Sequence, residues 1–295
     1  MWYLLLAALC TFLTYFHFKV FALYNIATLP ALLTNYVVCV IAGLLFFPIE
    51  SWESLLHKDW LYWAGLLGAL FILHYLLLIY ATARVGLAII TIASKVSFTL
   101  PVVISLVYIP SVYKTLSWLN YTGVVLSVIA VLFISIQRKS GNESTLFKLS
   151  SLRWAWVVFL VGGGIDTLIN FINYRYLSEE TEVSFPIATF AFALLTGVVA
   201  TGVKHSFLSG FGQVVLLKSC LGGVSLGVVN FFSFYFILKA LRYFQHQGSL
   251  VFPLLNILVI LLIAGISKWG FREKLSRLNF LGIALALLSL LFIAL

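Results

Sequence analysis

Two short stretches of the chain are nearly the same. Residues 116–123 read LSWLNYTG and residues 275–282 read LSRLNFLG, so five of eight positions are identical at an offset of 159 residues. The same offset pairs residues 132–134 with residues 291–293, which read LFI in both places. Apolar chains produce chance matches readily, but the shared asparagine and glycine are not explained in that way. The pattern therefore predicts an internal duplication.

Long apolar runs surround both stretches. Of the 295 residues, 63% are apolar or aromatic and 9% are charged, whereas a soluble domain carries about 25% charged residues. Such a surface is stable only where hydrocarbon solvates most of it. Ten segments reach the roughly 20 apolar residues that a helical membrane span requires. Their approximate bounds are 2–21, 28–48, 60–82, 85–108, 115–136, 153–176, 183–203, 215–240, 245–267 and 276–295.

Each half of the chain contains five predicted spans. Because five is odd, the second half must enter the membrane from the side opposite to the first. We therefore predict an all-α integral membrane protein, with ten transmembrane helices as two inverted five-helix repeats. The predicted repeats are 1–136 and 153–295, joined by a polar connector at 137–152. Inverted repeats are typical of secondary transporters, which bind solutes near the midplane. A duplicated scaffold without a transport role is the alternative.

The closing part of each half carries a family resemblance. In the second half, residues 252–256 read FPLLN and residues 271–276 read FREKLS, and Asn279 follows. With the helix count and the duplication, these segments resemble the drug/metabolite transporter superfamily, in its ten-helix EamA-type branch, over almost the whole chain. The resemblance implies transport of small organic solutes such as amino acids, nucleotide precursors or sugar derivatives. The first half departs from this pattern, with Lys114 where the second has Glu273.

Two charged residues fall near the middle of predicted spans. Lys95 lies in the fourth span and Asp166 in the sixth. A charge at the centre of a bilayer costs about 2.5 kcal/mol or more, so it normally faces a cavity or a counter-ion. We expect a pair across the repeat interface that binds a carboxylate or zwitterion, or couples a proton to movement. A structural ion pair that clamps the fourth helix to the sixth is the alternative.

Other polar side chains at similar depth extend this candidate site. Asn170 follows Asp166 by four positions, on one face of the sixth helix, and Ser97 is the counterpart of Asn256 at the 159-residue offset. Amides both donate and accept hydrogen bonds, which suits a polar solute. Hydrogen bonding between helices is the better explanation for any single one, and it is their shared depth that favours a binding site. His74 carries a proton or is a packing residue. The predicted substrate-binding residues are Lys95, Asp166, Asn170, Asn230, Asn256, Ser97, His74, Tyr75 and Tyr235.

Prolines and glycines within the spans predict bends and close contacts. Pro101 and Pro253 interrupt the hydrogen-bond ladder of the fourth and ninth helices, where a moving helix would hinge. Residues 223–227 form a G-x-x-x-G face, which permits close approach of another helix. The glycines at 162–164 precede Asp166, and they allow either a bend or close packing.

These features predict a secondary transporter that moves a small polar or charged organic metabolite by alternating access, with proton coupling. A flippase for a lipid or lipid-linked headgroup is the alternative on the same architecture; a membrane enzyme and a passive channel are weaker rivals. No Walker loop or H-E-x-x-H motif is present, and the three cysteines show no C-x-x-C spacing. We therefore expect neither enzymatic activity nor a cofactor or metal.

The expected partners are a small organic solute and the lipid bilayer. The net charge of +9 does not indicate nucleic acid, because the basic residues fall in short loops that set topology. A homodimer is left open. The expected location is a bacterial inner (plasma) membrane, with multiple passes. More basic residues follow odd-numbered spans than even-numbered ones, which places both termini outside. The family resemblance implies cytoplasmic termini, and the charge count is preferred here.

Overall fold

The computed structural model describes residues 2–46, 59–97, 99–101, 117–135, 149–178, 181–202, 213–245, 248–271 and 276–294. All regular secondary structure within these ranges is α-helical. In chain order the helices are α1 (Trp2–Leu23), α2 (Thr28–Phe46), α3 (Leu61–Val85), α4 (Leu87–Val96), α5 (Trp118–Ser135), α6 (Leu149–Arg175), α7 (Thr181–Gly202), α8 (Gln213–Tyr243), α9 (Gly248–Trp269) and α10 (Arg277–Ala294).

Six of the described helices are long and apolar enough to cross a membrane: α1, α2, α3, α6, α7 and α8. Their outward faces carry aliphatic side chains where a soluble helix would carry charges. Leu217 and Leu221 on α8 are each 63% exposed, and Val199 on α7 is 59% exposed. Lipid tails solvate such faces at no cost, and each helix satisfies its own backbone hydrogen bonds. The chain is therefore an all-helical, multi-pass membrane protein, as the composition predicts.

The helices assemble into two compact units. Unit 1 comprises Met1–Ile79 and Ile169–His246, and unit 2 comprises Tyr80–Leu168 and Gln247–Leu295. In unit 1, α8 packs against α1, α2 and α7. In unit 2, α10 packs against α5, α9 and α4. Each unit contains helices from both halves of the chain. The units are therefore not the same as the predicted repeats at 1–136 and 153–295, and those repeats stay a prediction.

Helices α3 and α4 are separated by a single residue. Gly86 has a φ of 110°, in the region that glycine adopts without strain and that other residues rarely enter. Its backbone N–H donates to the Thr82 carbonyl at 3.0 Å, and its carbonyl accepts from the Ile90 N–H at 3.3 Å. The hydrogen-bond ladder thus continues across the break while the chain changes direction.

The G-x-x-x-G face of α8 lies directly on α2, as predicted. A Cβ added to Gly227 would lie 2.6 Å from Val38 Cβ and 2.7 Å from the carbonyl oxygen of Asn35. One added to Gly223 would collide with the carbonyl oxygen of Ala31. Helices approach this closely only where neither side chain intervenes. The glycines therefore fix both the distance and the rotation of α8 relative to α2.

Replacing Gly227 by alanine is expected to destabilise the protein by about 1–3 kcal/mol, because the new methyl group forces α8 away from the α2 backbone. Thermal unfolding of the detergent-purified protein measures the effect. Gly164→Ala is the matched control, since a Cβ there meets no atom within 4 Å. That control is expected to leave the midpoint unchanged or to raise it. Equal midpoints for both variants would contradict close packing at Gly227.

Helix α4 ends at Val96, whereas the fourth predicted span runs to 108, and residues 102–108 lie outside the described residues. The bounds of the other helices agree with the predicted spans to within four residues, and the largest of these differences is at α6, which begins at Leu149 rather than at 153. A hydropathy boundary stops at the first charged residue, Arg153, whereas the backbone ladder continues beyond it. Pro101 lies in a helical turn after α4, and Pro253 lies inside α9. Most of the predicted polar connector, along with Lys114 and Glu273, lies outside the described residues.

Candidate functional site

The two predicted charges lie in the same compact unit and interact. Lys95 occupies the last turn of α4, and the charge of its ammonium group acts on the carboxylate of Asp166 on α6. A close approach of these helices brings the charges together: a Cβ on Gly163 would lie 2.6 Å from the carbonyl oxygen of Ser97. Residues Lys95 and Asp166 are each only partly covered by the rest of the protein.

Buried polar atoms without partners accompany this pair in unit 2. Asn256 on α9 is 1% exposed, and Thr91, one turn before Lys95 on α4, is fully buried. The Asn256 amide nitrogen and the Thr91 hydroxyl find no hydrogen-bond partner among the described residues. Helix α9 packs against α4. The hydroxyl of Ser97 instead donates to the Ser94 carbonyl within its own helix. Unsatisfied buried groups are uncommon, and a bound polar solute would satisfy them.

In unit 1, a chain of hydrogen bonds links three helices. The Tyr75 hydroxyl on α3 donates to Asn230 Oδ1 on α8 at 2.5 Å, and Asn230 Nδ2 donates to Asn35 Oδ1 on α2 at 3.2 Å. The Cys39 thiol, one turn after Asn35, donates to the Gly227 carbonyl at 3.2 Å. Asn35 and Cys39 are fully buried, and Asn230 is 2% exposed. This chain connects α2, α3 and α8 in the interior of unit 1.

Two donors beside this network have no partner. Within the described ranges, Asn35 Nδ2 and the fully buried Tyr36 hydroxyl make no hydrogen bond. Aromatic rings surround them: the Tyr36 ring is stacked on Tyr75, with centroids 6.4 Å apart, and on Phe190 at 6.1 Å. Unit 1 therefore contains unpartnered hydrogen-bond donors beside packed aromatic rings. That arrangement suits a solute with a flat or apolar body and an acceptor atom.

The structure places the predicted residues in both units. Two predicted pairs interact: Tyr75 with Asn230 through a hydrogen bond, and Lys95 with Asp166 electrostatically. Tyr235 instead stacks on Phe231, with centroids 6.4 Å apart, and lies under the Lys239 ammonium group at 5.8 Å. Unit 1 holds His74, Tyr75, Asn170, Asn230 and Tyr235, and unit 2 holds Lys95, Ser97, Asp166 and Asn256. Whether these residues bind a substrate stays a prediction.

Sequence reasoning missed the contribution of α2. Asn35 and Tyr36 were not singled out, and Cys39 was considered only as one of three cysteines without C-x-x-C spacing. The signal was present, because Asn35 interrupts an otherwise apolar run and Cys39 follows it by four positions on the same helix face. Polar residues near the middle of a span are therefore candidates for a binding site.

Neutral amides and hydroxyls predominate among these polar groups. They recognise a solute by hydrogen bonding and carry no nucleophile with an adjacent base. In the described part of the chain, no three side chains of His, Cys, Asp or Glu lie close enough together to hold a metal ion. The described arrangement is suited to reversible binding of a polar molecule.

Comparisons with known proteins agree with this fold and name no function. No family model matches the chain. An uncharacterized protein of Haemophilus influenzae is 29% identical over 196 residues, which are 66% of this chain and 62% of that protein. The chain thus spans less than two thirds of that relative. A protein of known crystal structure aligns with 97% of this chain and 94% of its own, with a TM-score of 0.56 and 13% identity. At this identity, the likeness shows a shared fold alone.

Proposed function

We propose that the chain is a secondary transporter of the drug/metabolite transporter superfamily, EamA-type, in a bacterial inner membrane. Ten spans arranged as two inverted repeats would move a small polar or charged organic metabolite by alternating access. The six long apolar helices support the multi-pass part of this proposal, and the 159-residue offset between similar segments supports the duplication. Energy comes from the solute gradient or from a coupled proton.

The pair of Lys95 and Asp166 is the observation that carries this proposal. Opposite charges within membrane spans stabilise a fold only weakly once their desolvation is counted, and they are rare unless they serve a pathway or a binding site. Both residues are only partly covered by the rest of the protein, which leaves space for a solute to approach them. The charges of Lys95 and Asp166 balance each other. The charges of a zwitterion or of a carboxylate can take the place of one partner in this pair, so either kind of solute fits the site.

Substituting Asp166 by asparagine tests the coupled proton. The amide keeps the shape of the carboxyl group but cannot exchange a proton, so we expect uptake by the variant to depend less on pH than uptake by the wild type. The two pH profiles are measured as initial rates of uptake into proteoliposomes, over the pH range in which carboxylates and histidines titrate. Asp59→Asn, at an exposed position before α3, is the matched control. Coincident wild-type and Asp166→Asn profiles would remove Asp166 as the proton carrier.

A lipid flippase remains the second candidate, because α5 bears an open apolar groove. The groove encloses about 340 Å³ and is lined by Trp118, Tyr121, Thr122, Val125 and Leu126. A lipid chain fits such a groove, but its five lining residues are uncharged and offer little to a headgroup. Scrambling of fluorescent lipids in liposomes, compared with flux of soluble metabolites, separates the two functions.

A ligand screen followed by uptake tests the transport proposal as a whole. The purified protein is heated with individual metabolites, and a solute that binds the folded state raises the unfolding midpoint by an amount that grows with the logarithm of its concentration over Kd. Solutes that stabilise the protein are then offered to proteoliposomes. We expect at least one stabilising solute to accumulate in protein-containing liposomes and not in empty ones. Stabilisation without any uptake would contradict transport.

A further inference from the structure

A buried carboxylate in unit 1 is held by two cations. Glu182 lies in the first turn of α7, and its side chain is 1% exposed. The Lys239 ammonium nitrogen lies 2.9 Å from Glu182 Oε2, and Arg242 Nη1 lies 2.9 Å from Oε1. Both cations belong to the end of α8. The cluster therefore joins the start of one span to the end of the next.

The charges of this cluster do not balance. Among the described residues, one carboxylate faces two cations, which leaves a net charge of +1; Glu179 and Glu180, which precede α7, lie outside the described residues. The lysine and arginine side chains are 20% and 30% exposed, whereas the glutamate is almost completely covered. Lysine has three N–H donors and arginine has five, so one carboxylate cannot occupy them all. The exposed side of the cluster therefore presents N–H donors of Lys239 and Arg242 that can bind a further acceptor.

Neighbouring groups at this end of unit 1 also favour an anion. The amino end of a helix carries a partial positive charge, and α7 begins beside Glu182. The Trp60 side chain packs edge-on against Phe185, one turn after Glu182, with ring centroids 5.6 Å apart. Trp60 is 2% exposed, and its indole N–H has no hydrogen-bond partner among the described residues. A buried donor without an acceptor thus lies near the same turn.

We propose that Lys239 and Arg242 form a binding site for an anionic oxygen group, a carboxylate or a phosphate, and that Glu182 occupies this site as an internal ligand. An arriving anion takes over the donors of the two cations, and Glu182 then turns away or shares them. This site requires no transport activity, so it stands or falls independently of the proposed function.

The anionic group can come from two sources in a membrane. A soluble metabolite carries it in water, whereas an acidic phospholipid presents it at the level where spans end. The recognition chemistry is the same in both cases, namely charge-assisted hydrogen bonds from a lysine and an arginine. Binding measurements with inorganic phosphate and with phosphatidylglycerol distinguish the two sources.

Three variants of the full-length protein in uncharged detergent test the site. Glu182→Gln removes the internal competitor, Arg242→Gln removes a cation, and Arg175→Gln removes an exposed arginine at the end of α6 as a control. Calorimetric titration uses inorganic phosphate in one series and phosphatidylglycerol in mixed micelles in the other. In at least one series we expect Glu182→Gln to bind about tenfold more tightly than the wild type. Arg242→Gln is expected to lose binding, and Arg175→Gln to match the wild type.

A purely structural ion cluster predicts the opposite order. Glu182→Gln would then bind no more tightly than the wild type in either series, and that result would overturn the proposal. Circular dichroism and gel filtration verify that each variant is folded. If Glu182→Gln does not fold, the wild type is compared with Lys239→Gln and Arg242→Gln. Unchanged affinity in both cation variants would then overturn the proposal, and weaker affinity in both would support it.

Discussion

Replacement of Lys95 by alanine is expected to abolish uptake in proteoliposomes while leaving the yield of folded protein near that of the wild type. The ammonium group interacts with Asp166 and is the cation with which an anionic part of the solute would pair. Loss of one charge-assisted hydrogen bond lowers affinity by about tenfold or more. The fold is expected to survive, because a carboxylate that loses its counter-ion in an apolar surrounding can be neutralised by a proton.

Lys218→Ala provides the matched comparison for this variant. It removes the same charge from an exposed position on α8, and its uptake is expected to equal that of the wild type. The amount of monodisperse protein after gel filtration reports folding. If Lys95→Ala instead fails to fold while Lys218→Ala folds normally, the pair clamps α4 to α6, and the binding role is wrong.

Asn230→Leu is expected to lower the stability of unit 1. Leucine resembles asparagine in size but leaves the Tyr75 hydroxyl without its acceptor and Asn35 Oδ1 without its amide donor. Each buried group left unsatisfied costs about 1–3 kcal/mol in soluble proteins; interhelical hydrogen bonds in membranes average nearer 0.6 kcal/mol. We therefore expect a total loss of about 1–3 kcal/mol, measured as a lower midpoint of thermal unfolding.

A double-mutant cycle with Tyr75→Phe isolates the hydrogen bond. Phenylalanine retains the ring that packs on Tyr36 and Phe71 but has no hydroxyl to leave unpaired. The cost of Asn230→Leu should therefore be smaller in the Tyr75→Phe background than in the wild type. Strictly additive midpoints would mean that the two side chains do not interact, contrary to the structure.

The helical architecture was largely predictable, but the grouping of helices was not. Lipid allows only structures that satisfy their own backbone, so each long apolar run predicts a helix. Which face of a helix packs inward is a different matter. In soluble proteins a polar stripe marks the outer face, whereas here Leu217 and Val199 face outward as readily as other aliphatic residues face inward. Sequence pattern therefore gives no guide to the two compact units.

The candidate site was predictable in part for the same reason. Charged and amide side chains at mid-depth stand out against an apolar background, which identified Lys95, Asp166 and Asn230. The partner of Asn230 on α2 depends on the rotation of that helix. Gly227 lies three positions before Asn230, and its close contact with the backbone of Asn35 sets the rotation. The glycine motif was recognised, but its partner could not be read from spacing.

Counterflow in proteoliposomes is the most direct measurement of alternating access. Liposomes are loaded with an excess of unlabelled solute, chosen by the thermal screen, and diluted into a trace of the labelled form. Inward-facing carriers bind mostly unlabelled solute, which slows the exit of label, so we predict transient accumulation of label above its equilibrium level, absent with Lys95→Ala. Simple equilibration without an overshoot would indicate a channel. Failure of every stabilising solute to enter would contradict transport altogether.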